Sequence, residues 1–285
     1  MNTKVDSLFS ISGKVVAITG AAGILYGSMA KALAANGAKI ALLDLLGDKC
    51  EALAQEIRAS GGDAEAVQCN VLEPESMKAA LSKIIEKYGR CDALINGAGG
   101  NRKGATVPPD GDFTSLSLEE LNKVFQLNYM GTVLPSQIFC TYFAKVGKGS
   151  IINTSSMSAL APLTNVPGYS NAKAAVTNFT QWLAVQVRVD FPNASIRVNE
   201  IAPGFFDTTQ NHFLMFEQDD KTLTKRGKSI IGHTPMGRFG NPDELIGPTI
   251  LLLSDAGSFV NGMTFCIDGG FNAYSGVGPL DEKKK

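Results

Sequence analysis

The sequence predicts an α/β fold, a single doubly wound parallel sheet of seven strands with helices on both faces. Short apolar runs rich in β-branched residues alternate with helix-length segments along the chain, which is the pattern of parallel βαβ units. Most of these runs are apolar at successive positions, as expected of strands that are covered on both faces. Glycines, prolines and polar residues follow the strand ends, which is where such sheets bind their ligands.

Each predicted strand is a short apolar run that ends in turn-forming or polar residues. The strands cover residues 14–19, 39–43, 64–69, 93–95, 150–154, 197–201 and 263–267. The helices between them are predicted over residues 28–36, 49–59, 74–88, 118–137, 139–146, 169–189 and 242–254. Gly37, Gly61 and Gly147 follow three of these helices, and glycine is the residue that most often ends a helix.

One large domain over residues 1–285 accounts for the length and for the 44% hydrophobic content. Residues 205–240 have weak periodicity and many Phe, Gln and Lys residues. We therefore expect a pair of short helices there, which would form a lid over a substrate. Residues 277–285 end in three lysines and are expected to be a flexible tail.

Composition argues against several classes of partner. The net charge of −1 and the scattered basic residues favour neither nucleic acid nor an anionic membrane. No signal-like or membrane-length apolar run is evident, so we expect a cytoplasmic protein. The five cysteines are widely spaced and the two histidines lack metal-ligand spacing, which predicts free thiols and no metal site.

The first βαβ unit has the features of a dinucleotide-binding site, as in Rossmann-type folds. Gly20, Gly23 and Gly27 lie between the first strand and the first helix, and Asp44 ends the second strand. Such glycines let the backbone approach a pyrophosphate, whose charge the helix N-terminus favours. Asp44 can bind the ribose hydroxyls and would repel a 2′-phosphate, so NAD is favoured over NADP.

A Ser, Tyr and Lys set predicts proton-transfer chemistry. Ser155 and Ser156 follow the fifth strand, and Tyr169 and Lys173 lie four residues apart, on one helix face. A lysine cation lowers the pKa of a neighbouring tyrosine, which then exchanges protons near neutral pH. A serine hydroxyl can bind a reacting carbonyl oxygen. This arrangement suits interconversion of an alcohol and a ketone, although a plain amphipathic helix start is the alternative.

Three further features suggest a functional role, and two of them also have an ordinary interpretation. The Gly-rich residues 96–100 follow the fourth strand and would let backbone lie against a ligand, unless they form a plain turn. The long polar loop 101–117 favours a functional segment. Asn128 lies in mid-helix, where asparagine is unfavourable, and either a solvent-facing position or a functional role explains it.

Together, these segments resemble the short-chain dehydrogenase/reductase family over nearly the whole chain. The matching pieces are Thr19-Gly20, Asn-Gly-Ala-Gly at 96–99, Asn-Tyr-Met-Gly at 128–131, Ser156, Tyr169 with Lys173, Pro-Gly-Phe-Phe-Asp-Thr at 203–208 and Asp-Gly-Gly at 268–270. The resemblance implies a catalytic set of Asn128, Ser156, Tyr169 and Lys173. In this family the asparagine holds a water that forms a proton relay with the lysine.

The resemblance also implies a set of residues that contact NAD. They are Gly20, Gly23, Ile24, Leu25, Asp44, Asn70, Val71, Asn96, Gly97, Ala98, Tyr169, Lys173, Pro203, Gly204, Phe206 and Thr208. Two departures matter. Ile24 and Tyr26 stand where the family has glycines, so the turn must close differently. Asn70 replaces a common Asp, and its carbonyl can still reach the adenine amine.

A subgroup resemblance implies a sugar-acid substrate. Gly-Ile-Leu-Tyr-Gly at 23–27 and His-Thr-Pro-Met-Gly-Arg-Phe-Gly at 233–240 are similar to D-mannonate oxidoreductases (fructuronate reductases), which interconvert D-fructuronate and D-mannonate. Gluconate 5-dehydrogenases share much of this pattern and are an alternative. A carboxylate needs cationic or amide donors. The candidates, with Ser156 at the carbonyl, are Asn101, Arg102, Lys103, Gln210, Asn211 and His212, whereas Arg238 is expected to be structural.

A rival from another class is an NAD(H)-binding sensor that lacks catalysis. The intact set of Ser156, Tyr169, Lys173 and Asn128 argues against this class, because a binding protein does not need all four. An acyl-carrier-protein reductase would prefer NADPH and a basic residue where this chain has Asp44. The family resemblance also implies a homo-oligomer, either a dimer or a tetramer.

Overall fold

The computed structural model describes residues 4–108, 110–208, 212–219 and 221–278. Seven parallel strands form one sheet in the order β3-β2-β1-β4-β5-β6-β7. The strands are β1 Val15–Thr19, β2 Lys39–Asp44, β3 Asp63–Gln68, β4 Ala93–Asn96, β5 Lys148–Thr154, β6 Ser195–Pro203 and β7 Thr264–Ile267. The predicted doubly wound sheet is confirmed, and the strand order reverses between β1 and β4, where such sheets bind ligands.

Helices cover both faces of the sheet. The α-helices are α1 Val5–Leu8, α2 Ile24–Ala35, α3 Gly47–Ala59, α4 Pro74–Tyr88, α5 Leu118–Phe125, α6 Gly131–Val146, α7 Pro167–Asp190, α8 His212–Met215, α9 Lys225–His233 and α10 Ile246–Leu253. Side chains of α2, α3 and α10 form one buried cluster with the sheet. Those of α4, α6 and α7 form a second cluster on the other face.

Strand β1 contributes side chains to the buried clusters on both faces of the sheet. Val16 and Ile18 belong to the cluster under α2, while Val15 and Ala17 belong to the cluster under α4. All four are essentially fully buried. Because successive strand side chains point to opposite faces, a strand buried on both sides must be apolar at every position, which is the signal the sequence carried.

Helix α2 begins earlier than predicted. The sequence indicated a turn through Gly27 and a helix from residue 28, but the helix starts at Ile24 with Gly23 at its N-cap. The Gly27 amide donates to the Gly23 carbonyl at 2.7 Å, so Gly27 lies inside the first helical turn. The early start matters because it places the helix N-terminus directly after the β1 turn.

The long helical region before β5 is not one regular helix. Helices α5 and α6 are joined by a π-helical turn over Gln126–Met130, whereas the sequence predicted helix through this region. Asn128 lies in that turn and is fully buried. Its solvent-facing interpretation is therefore wrong. π-Helical turns often occur at functional sites, and this one turns an asparagine inward.

The segment after β6 contains the two predicted short helices, α8 and α9. The Thr224 hydroxyl caps α9 by accepting from the Gly227 amide at 2.9 Å.

The polar loop after β4 contains short 3-10 turns at Lys103–Ala105 and Phe113–Ser115. Among the described residues, no helix has the length and apolar character needed to span a bilayer.

Packing against β5 predicts the effect of one glycine substitution. A Cβ on Gly149 would lie 2.1 Å from the Phe143 ring, whereas a Cβ on Gly247, in α10, would meet nothing within 4 Å. We expect Gly149→Ala to lower the free energy of unfolding by about 1–3 kcal/mol through overpacking. The control Gly247→Ala should raise it by about 0.5–1 kcal/mol, since alanine favours helix. Urea unfolding measures both, and equal midpoints would contradict this packing.

Candidate active site

The predicted catalytic side chains converge at the carboxyl edge of the sheet, beside the end of β5. The Ser156 hydroxyl lies close enough to Tyr169 to lower the pKa of its phenol, and the Lys173 Nζ lies 5.7 Å from the centroid of the Tyr169 ring. A Cβ on Gly99 would lie 2.6 Å from Asn128 Oδ1 and 3.3 Å from Lys173 Nζ. The structure therefore brings all four residues to one place, and Gly99 makes room for two of them.

The two serines after β5 have different surroundings. Ser155 is buried, and its hydroxyl donates to the Lys173 carbonyl at 3.2 Å and pairs with the Thr177 hydroxyl at 2.6 Å. It therefore fastens α7 to the sheet. The Ser156 Oγ accepts from the Ser158 amide at 3.2 Å and the Ser158 hydroxyl at 3.1 Å. Ser156 can thus direct its own proton to Tyr169 or to a substrate oxygen.

The environment of Tyr169 favours the protonated phenol. Burial raises its pKa, and the hydrogen bond with Ser156 acts in the opposite direction. The sequence-based expectation was a pKa lowered by Lys173, but burial is the larger effect. A phenol with a raised pKa carries its proton at neutral pH, which is the form that can donate to a ketone oxygen.

Lys173 is a buried cation on the sheet side of Tyr169. Its side chain is 3% exposed, and its ammonium donates to the Thr154 carbonyl at 2.8 Å. Burial lowers the pKa of Lys173 to about 8, and the negative charge of Glu200 opposes this lowering. A lysine in this range can give up and regain a proton near neutral pH.

Glu200 is a buried carboxylate that the sequence analysis missed. It lies in β6 with no exposed surface, and its oxygens accept from the Thr264 hydroxyl at 2.8 Å and the Thr180 hydroxyl at 3.1 Å. Burial raises its pKa, while hydrogen bonds from Thr264, Thr177 and Thr180 and the charge of Lys173 lower it. A single glutamate inside an apolar strand, before Ile201 and Ala202, was the available signal.

Asn128 holds the loop that follows β4. Its Oδ1 accepts from the Gly100 amide at 3.0 Å, and its Nδ2 donates to the Gly100 carbonyl at 2.7 Å and the Val124 carbonyl at 2.8 Å. The side chain therefore closes a ring with the Gly100 backbone. It also positions the Gly99–Gly100 backbone next to Lys173.

The β1–α2 turn fits a dinucleotide pyrophosphate. No side chain caps the N-terminus of α2, and its first turn holds no acidic residue. Its amides are thus available to an anion. Gly20 has a φ of +68°, and a Cβ there would lie 2.7 Å from the Ala98 backbone. Asp44 accepts from the Ala22 amide at 3.0 Å and the Leu46 amide at 3.0 Å, which holds its carboxylate beside this turn.

Tyr26, at a family glycine position, points into the protein rather than over the turn. It is 6% exposed, and its hydroxyl is hydrogen-bonded to the Thr154 hydroxyl. A Cβ on Gly97 would lie 2.6 Å from the Tyr26 ring, so the absence of a side chain at Gly97 accommodates the ring. The sequence showed that Tyr26 replaces a family glycine, but not that Gly97 makes room for its ring. The ring therefore packs against Gly97 and the end of β5.

Thr19 organises the turn after β4. Its buried hydroxyl oxygen accepts from the Gly97 amide at 3.1 Å and the Ala98 amide at 3.2 Å. The Asn96 side chain is buried, and its Nδ2 donates inward to Ser136 at 3.0 Å and Asn153 at 2.9 Å. Its contact with the cofactor stays a prediction. Asn96 connects strands because it is buried where β4 meets β5.

Other predicted cofactor residues lie at the strand ends with different degrees of exposure. Asn70 is half-buried, and its side-chain carbonyl accepts from the Leu72 amide at 3.0 Å. Val71 and Phe206 are buried in the two apolar clusters. The other predicted cofactor residues, at or near this edge, are Gly23, Ile24, Leu25, Pro203, Gly204 and Thr208. Their contacts with a cofactor stay predictions.

The predicted substrate residues are only partly described. Gln210 and Asn211 lie outside the described residues. The Asn101 amide donates to the Thr106 hydroxyl at 2.9 Å, and the Arg102 guanidinium donates to Glu120 at 2.9 Å. Both side chains therefore already have partners within the loop or beside it, and their role in substrate binding stays a prediction.

Two candidates near the lid have structural partners. Arg238 forms two bonds with the Glu244 carboxylate at 2.6 and 2.8 Å, which is the structural role expected of it. His212 lies 2.8 Å from Asp207 and stacks on Phe216 with ring centroids 4.4 Å apart.

Comparison with known proteins agrees with this geometry. The family model of the short chain dehydrogenases matches residues 14–218. The chain is 45% identical to UxuB of Bacillus subtilis (strain 168), an uncharacterized oxidoreductase, over 94% of this chain and 98% of UxuB.

Two solved structures are also similar. One, from Haemophilus influenzae, is proposed to be a D-mannonate oxidoreductase and was solved with bound NAD. It has 43% identity and a TM-score of 0.87, covering 96% of this chain and 100% of that one. The other is a gluconate 5-dehydrogenase from Burkholderia cenocepacia J2315 in complex with NADP and tartrate. It has 28% identity and a TM-score of 0.82, covering 95% of this chain and 99% of that one.

The lowered pKa of Lys173 predicts a pH-dependent stability difference. Because the folded-state pKa is about 8 and the ordinary value is 10.5, the unfolded chain binds more protons between these values. The free energy of unfolding of the parent protein should therefore rise with pH in this window, relative to Lys173→Met. Between pH 7 and pH 10 we expect this difference to grow by at least about 1 kcal/mol. Urea unfolding of both proteins measures it, and parallel pH profiles would contradict a depressed pKa.

Proposed function

Because this chain belongs to the short chain dehydrogenase family, we propose that it is an NAD(H)-dependent oxidoreductase that interconverts D-fructuronate and D-mannonate. Its family membership makes it an oxidoreductase that interconverts alcohols and ketones. The observation that carries the proposal is the meeting of Ser156, Tyr169 and Lys173 beside an uncapped helix N-terminus and Asp44. A non-catalytic NAD-binding sensor is disfavoured, since it would not need this proton-transfer set.

The chain's own residues supply the proton chemistry. The Ser156 hydroxyl would hydrogen-bond the substrate carbonyl oxygen and orient it toward Tyr169. Tyr169, held protonated by burial, would donate its phenolic proton to that oxygen during reduction and accept it back during oxidation. The Lys173 cation would stabilise the phenolate that remains. Bound NAD(H) would supply or accept the hydride.

Lys173 would return a proton to the Tyr169 phenolate and regain one from solvent, while Asn128 would position the backbone beside the lysine. Lys173 has a pKa of about 8, so its ammonium can act as a proton reservoir at neutral pH. Asn128 holds the Gly99–Gly100 backbone against the lysine. Glu200 adds a negative charge behind the lysine, which favours its protonated form.

Asp44 supports NAD rather than NADP. Its carboxylate lies beside the β1–α2 turn, where it would accept bonds from the adenosine ribose and repel a 2′-phosphate. The residues that follow it are Leu45 and Leu46, both exposed, so neither supplies a cation for a phosphate. The α2 N-terminus would hold the pyrophosphate.

The sugar-acid assignment rests on similarity, and two acids are closely related. The similar structure from Haemophilus influenzae is proposed to act on D-mannonate, and the Burkholderia cenocepacia structure is a gluconate 5-dehydrogenase. D-Fructuronate and 5-keto-D-gluconate have the same constitution and differ only in the configuration at the carbon bonded to the carboxylate. The 5-keto-D-gluconate reaction is therefore the second candidate. Assembly into a homo-oligomer is part of the proposal.

Replacing the proposed proton donor tests the mechanism. Tyr169→Phe should lower kcat by at least about 10²-fold, because general acid–base catalysis is lost. NAD binding, measured by fluorescence titration, should stay close to that of the parent protein. Near-normal turnover by the folded variant would overturn the assignment of Tyr169.

A substrate comparison tests the proposed activity. NADH oxidation is followed at 340 nm with D-fructuronate and with 5-keto-D-gluconate, and NADPH is the cofactor control. We expect fast turnover with D-fructuronate and NADH only, since Asp44 would repel the NADPH phosphate. Faster turnover with 5-keto-D-gluconate would transfer the assignment to the second candidate. Turnover of neither acid would refute the sugar-acid proposal.

A further inference from the structure

A large cavity lies between the lid helix α9, the loop that follows Ser156 and the C-terminal turn of the described chain. Its volume is about 1250 Å³, and it is lined by the loop Ala161–Asn165, by one face of α9 and by the C-terminal turn around Phe271 and Tyr274. The loop connects Ser156 to the helix that carries Tyr169, and Phe205, just after Gly204, also lines the cavity. The cavity is thus built from segments that continue directly from the catalytic site.

The α9 face of this cavity is cationic. Lys225 and Arg226 line it from the first turn of the helix, and His233 lines it from the last. None of the described residues that line the cavity is acidic. Among the described residues, neither Lys225 nor Arg226 forms an ion pair. Both side chains are exposed, so both cations are free to meet an anion that enters.

Aromatic rings hold His233 in place at the other end of this face. Its ring centroid lies 4.5 Å from that of Phe271 and 4.9 Å from that of Tyr274. A ring packed between two others is restricted in orientation, which makes its N–H a directed donor. Ser229 adds a hydroxyl between His233 and the two cations.

Arg102, one of the cations expected from sequence to bind a substrate acid, has a different setting. It donates to Glu120, so its charge is already balanced by a carboxylate. A substrate carboxylate at Arg102 would have to compete with Glu120 or lie beside it, and like charges repel. Within the described part of the chain, the α9 face has no such competing carboxylate.

From these contrasts we propose that Lys225 and Arg226, in the first turn of α9, form the subsite that binds the carboxylate of an acidic ketone substrate, and that His233, about 12 Å further along the helix, donates to one of its hydroxyls. This inference rests on the proposed function, since it places the reacting carbonyl of that substrate at Ser156 and Tyr169. The substrate chain then runs from the catalytic edge toward α9. The subsite also contacts the carbon bonded to the carboxylate, which is where D-fructuronate and 5-keto-D-gluconate differ. The α9 face therefore contributes to the choice between these acids.

The first test separates the cations of the cavity from the general charge of the lid. Arg226→Ala and Lys225→Ala should each raise KM for D-fructuronate about tenfold or more, as expected for loss of a hydrogen bond to a charged group. The double variant should raise KM further, with kcat nearly unchanged. Lys228→Ala is the matched control, because Lys228 is an exposed cation on the same helix that does not line the cavity. Its KM should stay within about twofold of the parent value.

The second test needs no turnover and uses tartrate, a small dicarboxylate, as the probe. Tartrate should raise the melting temperature of the NAD-loaded parent protein and of Lys228→Ala, and should raise that of the Lys225→Ala, Arg226→Ala double variant much less. If the parent reduces D-fructuronate but the cavity variants match Lys228→Ala in both tests, the subsite is wrong and the activity stands. If tartrate stabilisation depends on Lys225 and Arg226 but neither acid is reduced, the anion site stands and the proposed activity is wrong.

Discussion

The active site depends on the placement of one buried cation, the Lys173 ammonium. Its bond to the Thr154 carbonyl at 2.8 Å joins helix α7 to the end of β5. A buried ammonium is costly unless its donors are satisfied, so the surrounding polar groups follow from its presence. Burial also lowers the pKa of Lys173 to about 8. A pKa in this range suits a group that is proposed to transfer protons at neutral pH.

A second set of contacts links the nucleotide turn to this cation. Thr154 makes this link through two of its groups. Its backbone carbonyl accepts from the Lys173 ammonium. Its hydroxyl is hydrogen-bonded to the Tyr26 hydroxyl and donates to the Asn96 carbonyl at 2.6 Å. Tyr26 thus connects the first turn of α2 to the strand end that holds the catalytic lysine. In a family where glycine is usual at this place, the phenol is accommodated because Gly97 lacks a side chain. The proposed nucleotide site at α2 and the proposed proton donor Tyr169 therefore share one support, the end of β5.

Beyond this support, the substrate end of the site consists of less regular chain. The loop after Ser156, the lid helix α9 and the C-terminal turn enclose a cavity of about 1250 Å³. In the proposed function, proton transfer uses residues at strand ends and on a long helix, whereas substrate recognition uses loops and a short helix. This division is common where one scaffold serves many substrates, because loops tolerate changes that a packed sheet does not.

The sequence by itself determined the parallel sheet of seven strands, the position of Ser156 after the fifth strand, and the placement of Tyr169 and Lys173 on one helix face. These features are local or periodic: apolar runs specify strands buried on both faces, and a four-residue spacing specifies one helix face. Only the tertiary structure decided the roles of Tyr26 and Glu200, the inward direction of Asn96, and the pairing of Arg102 with Glu120. Each of these depends on side chains brought together from distant strands and loops. Their burial and partners are set by packing, which leaves no periodic signal along the chain.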